Sequence, residues 1–241
     1  MVRKSILVPA LAGTLILGGC HASDDRRASP EQAGVITVEA DISLSSPFIL
    51  SKPYTDAAVK RVGEAVLNQR PGDRVRIVPV GSRSVENAVD AFAMASSQKV
   101  HGRAVKKRTE AALADLFASA RKAGGNGNTN IVYTIVNSHP VCNPGSSIYV
   151  LSDMIESTAE HDIGKDLAAE RPIELSKPSE PVFSGGCSIW VIGIGASPAT
   201  GGGKDPETLP ADQLDALKSA WLAWFVAAGA DPAKVHFETI L

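Results

Sequence analysis

Asp41-Ile42-Ser43-Leu44-Ser45 sets a carboxylate and two hydroxyls at alternate positions of one short stretch. Residues so spaced, just past the end of an extended segment, can turn three oxygens toward one point. Convergent oxygens are the start of a site for a hard cation such as Mg²⁺, which takes oxygen ligands in near-octahedral geometry. Two later segments carry oxygens of the same kind. Gly124-Gly125-Asn126-Gly127-Asn128-Thr129-Asn130 offers a hydroxyl in a Gly-rich loop, and Ser147-Ile148-Tyr149-Val150-Leu151-Ser152-Asp153 ends an apolar run on an acid.

Positioning these groups requires strands that stop just short of them. Val35-Ile36-Thr37-Val38 opens a buried strand over 35–40, and Ser147–Leu151 reads as a second. In open α/β sheets ligands bind beyond the carboxyl ends of the strands, where Asp41 and Asp153 would then lie. Further strands are expected at Val75–Val80, Ser188–Ile194 and Val235–Leu241. Helices are expected at Tyr54–Gln69, 102–122, Ile131–Ser138 and Leu209–Ala228, with a short one near Gly164–Glu170. Ala58, Val62, Ala65 and Val66 share a face of the first of these; Leu214, Leu217, Trp221, Leu222 and Phe225 share a face of the last. Trp221 and Trp224 are expected to pack at the core and its rim. Glu86–Ser97 is open between helix, on composition, and an antiparallel edge strand near Val89–Met94. The segment 155–187 is the least regular, and Gly195–Pro210 reads as a Gly/Pro loop. Strands alternating with helices imply a mainly parallel sheet covered on both faces.

The three oxygen-bearing motifs, in this order and spacing, resemble a von Willebrand factor A (VWA) domain over about Val35–Ala228. The resemblance implies a doubly wound, VWA-like α/β fold. It also implies a metal-ion-dependent adhesion site built from Asp41, Ser43, Ser45, Thr129 and Asp153, holding Mg²⁺ or Mn²⁺ and accepting an acidic side chain from a protein partner. Asp153 is followed by Met154 where the family usually has Gly, and the Gly-rich loop is longer than the family's G-G-T. Cys142 and Cys187 each stand a few residues before strands that would be parallel neighbours in the VWA order. Both would therefore lie at the sheet edge opposite the metal end, and in an exported chain such a pair is expected as a disulfide.

Export is written at the N-terminus. Arg3 and Lys4 precede an apolar stretch, Ile6 to Leu17, shorter than the roughly 20 residues that span a bilayer. It runs into Leu17-Gly18-Gly19-Cys20, which resembles a bacterial lipoprotein lipobox. That divides the chain into a signal peptide over 1–19, a lipidated Cys20 with a polar tether over 20–34, and the VWA-like domain over 35–241. Asp is absent from position 21, which points to the outer membrane, facing the periplasm. A net charge of −2 with no basic patch excludes an electrostatic case for nucleic acid.

No G-x-S-x-G elbow, no His pair at i,i+4 and no complete phosphate loop is present, Gly201-Gly202-Gly203-Lys204 included. The chain therefore reads as a binding protein rather than an enzyme. Its partner would be an envelope or extracellular protein, with the membrane reached through the lipid. The alternative reading is a metal-free structural subunit of an envelope secretion or conjugation machine.

Overall fold

The first strand, β1 (Val35–Asp41), is wholly inside the molecule beyond Val35, because it is central in a six-stranded sheet. The computed structural model describes residues 34–68, 73–81, 89–93, 102–125, 127–159, 161–184, 186–197 and 206–240. The signal peptide expected over 1–19, Cys20 with the tether expected after it as far as 33, and Gly201–Lys204 lie outside the described residues.

The other sheet strands are β2 (Arg74–Val80), β3 (Val89–Ala93), β4 (Ser147–Leu151), β5 (Ser188–Ile192) and β8 (Val235–Glu238). Their order is β3-β2-β1-β4-β5-β8, and every neighbouring pair is parallel except β2 with β3. This is the doubly wound, mainly parallel sheet of a VWA-like fold. Within the segment left open at 86–97, Val89–Ala93 is the antiparallel edge strand: Arg74 stands opposite Ala93 and Ile77 opposite Val89.

Alternate residues of each strand feed two separate cores. Ile36, Val38, Ala40, Tyr149, Leu151 and Ile192 face α1 (Pro47–Leu50), α2 (Lys52–Leu67) and α3 (Gly102–Ala123). Ile148, Val150, Ile189 and Val191 face α4 (Ile131–Ser138), α5 (Ile163–Ala168) and α6 (Ala211–Ala227). Thr55, Ala58, Val62 and Val66 recur every three or four residues along α2 and are buried, the amphipathic pattern read from sequence. On α6, Trp221, Trp224 and Phe225 are all buried, so Trp224 belongs to the core and not to its rim. Their apolar area accounts for much of what fixes α6 to the sheet, at about 1.5–3 kcal/mol per large buried side chain.

Three differences from the sequence expectation have local causes. Helix α1 was not foreseen; it is one turn, begun by Pro47 at its first position, where a missing N–H costs nothing. Strand β5 stops at Ile192 instead of Ile194. Gly193 has φ 93°, and a Cβ there would stand 2.7 Å from the Phe48 ring, so only glycine fits. Within Gly195–Pro210, Ala196–Ser197 (β6) pairs with Glu207–Thr208 (β7), antiparallel strands of two residues that no periodicity could announce. At the pole where β4 and β5 begin, Cys142 and Cys187 form a disulfide across 45 residues, with Cα atoms 4.7 Å apart.

Candidate functional site

The carboxyl ends of β1 and β4 carry the two acids side by side. Ala40 is paired with Leu151, so Asp41 is level with Ser152, and both side chains follow the alternation that sends Val150 to the α4–α6 face. That placement lets the Ser152 hydroxyl donate to Asp41 Oδ2 at 2.8 Å. The other oxygen, Oδ1, accepts the Ser43 backbone N–H at 2.8 Å, which folds the D-x-S-x-S segment back over its own acid. Ser43 Oγ and Ser45 Oγ are 3.2 Å apart. Asp153 Oδ1 accepts the Ile155 N–H at 2.9 Å, while Oδ2 is buried without a hydrogen-bond partner.

Asp41, Ser43, Ser45 and Asp153 are thus gathered at one end of the sheet. Thr129 lies on a separate loop. It is buried and exchanges backbone hydrogen bonds with Ser157, four residues past Asp153. The loop itself rests on the D-x-S-x-S turn: a Cβ on Gly125 (φ 67°) would stand 3.0 Å from the Leu44 nitrogen, so this contact requires glycine.

Both acids are completely buried. Burial pushes the Asp41 carboxyl up, against the hydrogen bonds from Ser43 and Ser152. Asp153 is pushed well above its ordinary range, first by burial and then by the charge of Asp41 beside it. No basic side chain contributes to either shift. Two carboxylates, one with an unpartnered buried oxygen, and the Ser43 and Ser45 hydroxyls form a hard-oxygen set lacking positive charge, which suits a divalent cation of the Mg²⁺ class. Among the described residues no group of three or more His, Cys, Asp or Glu side chains is placed to hold a metal ion, so any cation here would rest on the two acids and neighbouring hydroxyls. Leu44, inside the motif, and Tyr133, on α4, are each 54% exposed. A cleft of about 530 Å³ runs beside Tyr133, lined by Asn128, Asn130, Glu156 and His161 among others.

A polar seam continues down β1 beneath the site. Thr37 and Glu39 face α4 and are fully buried. Glu39 Oε1 accepts the Ser138 hydroxyl at 2.7 Å, and Oε2 has no partner. Burial raises the Glu39 carboxyl to about 7, against the Ser138 hydrogen bond and the Arg76 charge. Between 4.5 and about 7 the unfolded chain releases this proton and the folded chain keeps it, so stability falls as pH rises through that window. The expected loss from pH 5 to pH 7 is about 2 kcal/mol. Glu39→Gln should flatten the slope of denaturation midpoint against pH and leave the variant the more stable above pH 7. An unchanged slope would exclude Glu39 as its source.

Two neighbours of the acids escaped the sequence reading: Ser152 stands between them, and Trp221 reaches them from α6 by donating to the Met154 carbonyl at 2.8 Å. Met154, already marked in the sequence as standing where the family usually has Gly, adopts φ 62°. That conformation explains the family's preference for Gly: the turn after Asp153 is left-handed, and here a buried Met occupies it at a backbone cost. Met154→Ala and Met154→Gly both empty the same core pocket, but only Gly relieves the backbone. The Gly variant should therefore be the more stable of the two by about 1 kcal/mol in chemical denaturation. The reverse order would mean that the turn is unstrained.

No helix among the described residues is long and apolar enough to cross a membrane. No family model matches the chain. No curated protein matches it. Among solved structures, an aerotolerance-related membrane protein from Bacteroides fragilis NCTC 9343, with multiple mutations to serines, is similar at 11% identity and a TM-score of 0.44, over 86% of this chain and 92% of that one. The conserved hypothetical protein BatB from Bacteroides thetaiotaomicron is similar at 13% identity and a TM-score of 0.41, over 86% of this chain and 90% of that one.

Proposed function

We propose that this chain is a lipid-anchored cell-envelope binding protein whose VWA-like domain engages a protein partner through a divalent cation. One observation carries the reading: two fully buried neighbouring carboxylates with no basic side chain to offset them, one oxygen of Asp153 still without a partner. Asp41, Ser43, Ser45, Thr129 and Asp153 would hold Mg²⁺ or Mn²⁺. When bound, the cation supplies a positive centre for an Asp or Glu carboxylate of the partner. The rest is this chain's own work. Burial keeps water from competing for the acids, the turn at Ser43 holds Asp41, and Leu44, exposed within the motif, offers apolar contact.

The alternative is a metal-free structural subunit of an envelope secretion or conjugation machine. It is favoured by one detail: both oxygens of Asp41 already have partners inside the chain. Affinity capture from an envelope extract, in Mg²⁺ and in EDTA, separates the two. A partner retained only with Mg²⁺ supports the cation reading; a partner indifferent to EDTA supports the structural one. The anchor is checked by detergent phase partitioning, in which Cys20→Ser should move the protein to the aqueous phase. Wild-type protein already in that phase would remove the lipid.

A further inference from the structure

The adhesion-site motif gives Ser152 no role, yet this hydroxyl lies at the centre of the site. It has one proton, and the 2.8 Å contact to Asp41 Oδ2 receives it; the approach to Asp153 Oδ1, at 3.5 Å, is the weaker branch. Its oxygen accepts the Met154 N–H at 3.0 Å. Met154 is left-handed, with φ 62°. On the other side of the same residue, the Met154 carbonyl accepts the Trp221 indole N–H at 2.8 Å. Trp221, Met154, Ser152 and Asp41 are all fully buried, so no water competes along this path.

We propose that Ser152 positions Asp41, and that Trp221, from the middle of α6, sets Ser152 through the left-handed Met154 residue. The proposal deepens the cation reading given above and rests on it for its consequence. Asp41 is fixed from behind by a helix that contributes no ligand, and a shift of α6 alters how the site holds metal. Outer-shell groups of this kind typically control metal affinity by about 10–100-fold.

Trp224 is the matched control. It lies on the same helix, is buried, and donates its indole N–H to the Ser176 carbonyl at 2.8 Å, without contact to Met154 in that bond. In the full-length chain, Trp221→Phe and Trp224→Phe should both lower the melting temperature without metal. In calorimetric titration with Mn²⁺, Ser152→Ala and Trp221→Phe should weaken binding about tenfold, and Trp224→Phe should leave it unchanged. Without metal, the melting-temperature losses of Ser152→Ala and Trp221→Phe should be non-additive by about 2 °C or more, and those of Ser152→Ala and Trp224→Phe additive.

A measurement needing no tryptophan variant guards against misfolding. Of the three indole N–H signals, only that of Trp221 should move in the nuclear magnetic resonance spectrum of Ser152→Ala. Additive losses in both pairs with an unmoved Trp221 signal would overturn the proposal, as would equal weakening of Mn²⁺ by both tryptophan variants. A non-additive Ser152–Trp221 pair in a wild-type protein that takes up no Mn²⁺ would uphold the positioning chain and remove the cation reading alone.

Discussion

Millimolar Mg²⁺ or Mn²⁺ should raise the melting temperature of this protein, and Asp41→Ala and Asp153→Ala should each abolish the rise. A ligand of the folded state stabilises by mass action, about 2.7 kcal/mol at a hundredfold excess over its dissociation constant. For a domain of this size that is roughly 5–10 °C. The effect should be large because a cation would offset a defect of the metal-free fold: two buried acids, each pushed up by burial, one of them further by the other. For the same reason Asp41→Ala costs the metal-free protein little. The Ser152 hydroxyl and Ser43 N–H lose their acceptor, but Asp153 loses a repelling neighbour. Ser43→Ala reduces the metal increment without abolishing it, since a hydroxyl is a neutral ligand. Melting curves with and without metal, paired with calorimetric titration, decide the matter. No heat and no shift in wild-type protein would leave the structural reading in place.

Removing the Cys142–Cys187 bond is the second large effect. Tying together residues 45 apart restricts the unfolded chain by roughly 3–4 kcal/mol in the chain-entropy description. Cys142→Ala with Cys187→Ala, or reduction of the native protein, should lower the melting temperature by roughly 10 °C. The bond lies at the pole where β4 and β5 begin, and the acids lie where β1 and β4 end. The metal increment should therefore survive the loss of the disulfide intact. A bridge whose removal leaves melting unchanged would not be constraining the unfolded chain.

Where the chain announces its own structure, the signal is local. Ser147–Leu151 and Ile131–Ser138 match the expected strand and helix residue for residue, since each is a short apolar run with polar punctuation at both ends. Asp41, Ser43, Ser45 and Asp153 could be placed because each follows directly on such a strand. Ser152 could not. Its meaning comes from register between β1 and β4, 111 residues apart, and a Ser before an Asp says nothing of register by itself. Trp221 looks like any core aromatic until its indole N–H is followed to a carbonyl, and Met is among the last residues expected in a left-handed turn. Glu39 left a readable trace: a lone acid within an apolar central strand must either find partners or keep its proton.

The direction of β1 sets which way the molecule faces. The strand enters beside Asp73, where Gly34 donates its N–H to the Asp73 carboxylate, and leaves at Asp41. A chain held by a lipid on Cys20 would therefore be tied at the pole away from the acids, and the candidate site would look outward from the bilayer. Thirteen residues separate Cys20 from Gly34, a leash of at most about 45 Å when fully extended. Strand β1 adds roughly 20 Å more. A surface partner would then meet the site within a shell of that depth, at an effective concentration fixed by tether length instead of by expression level. Lengthening the tether would dilute such an encounter without touching a single contact in the site.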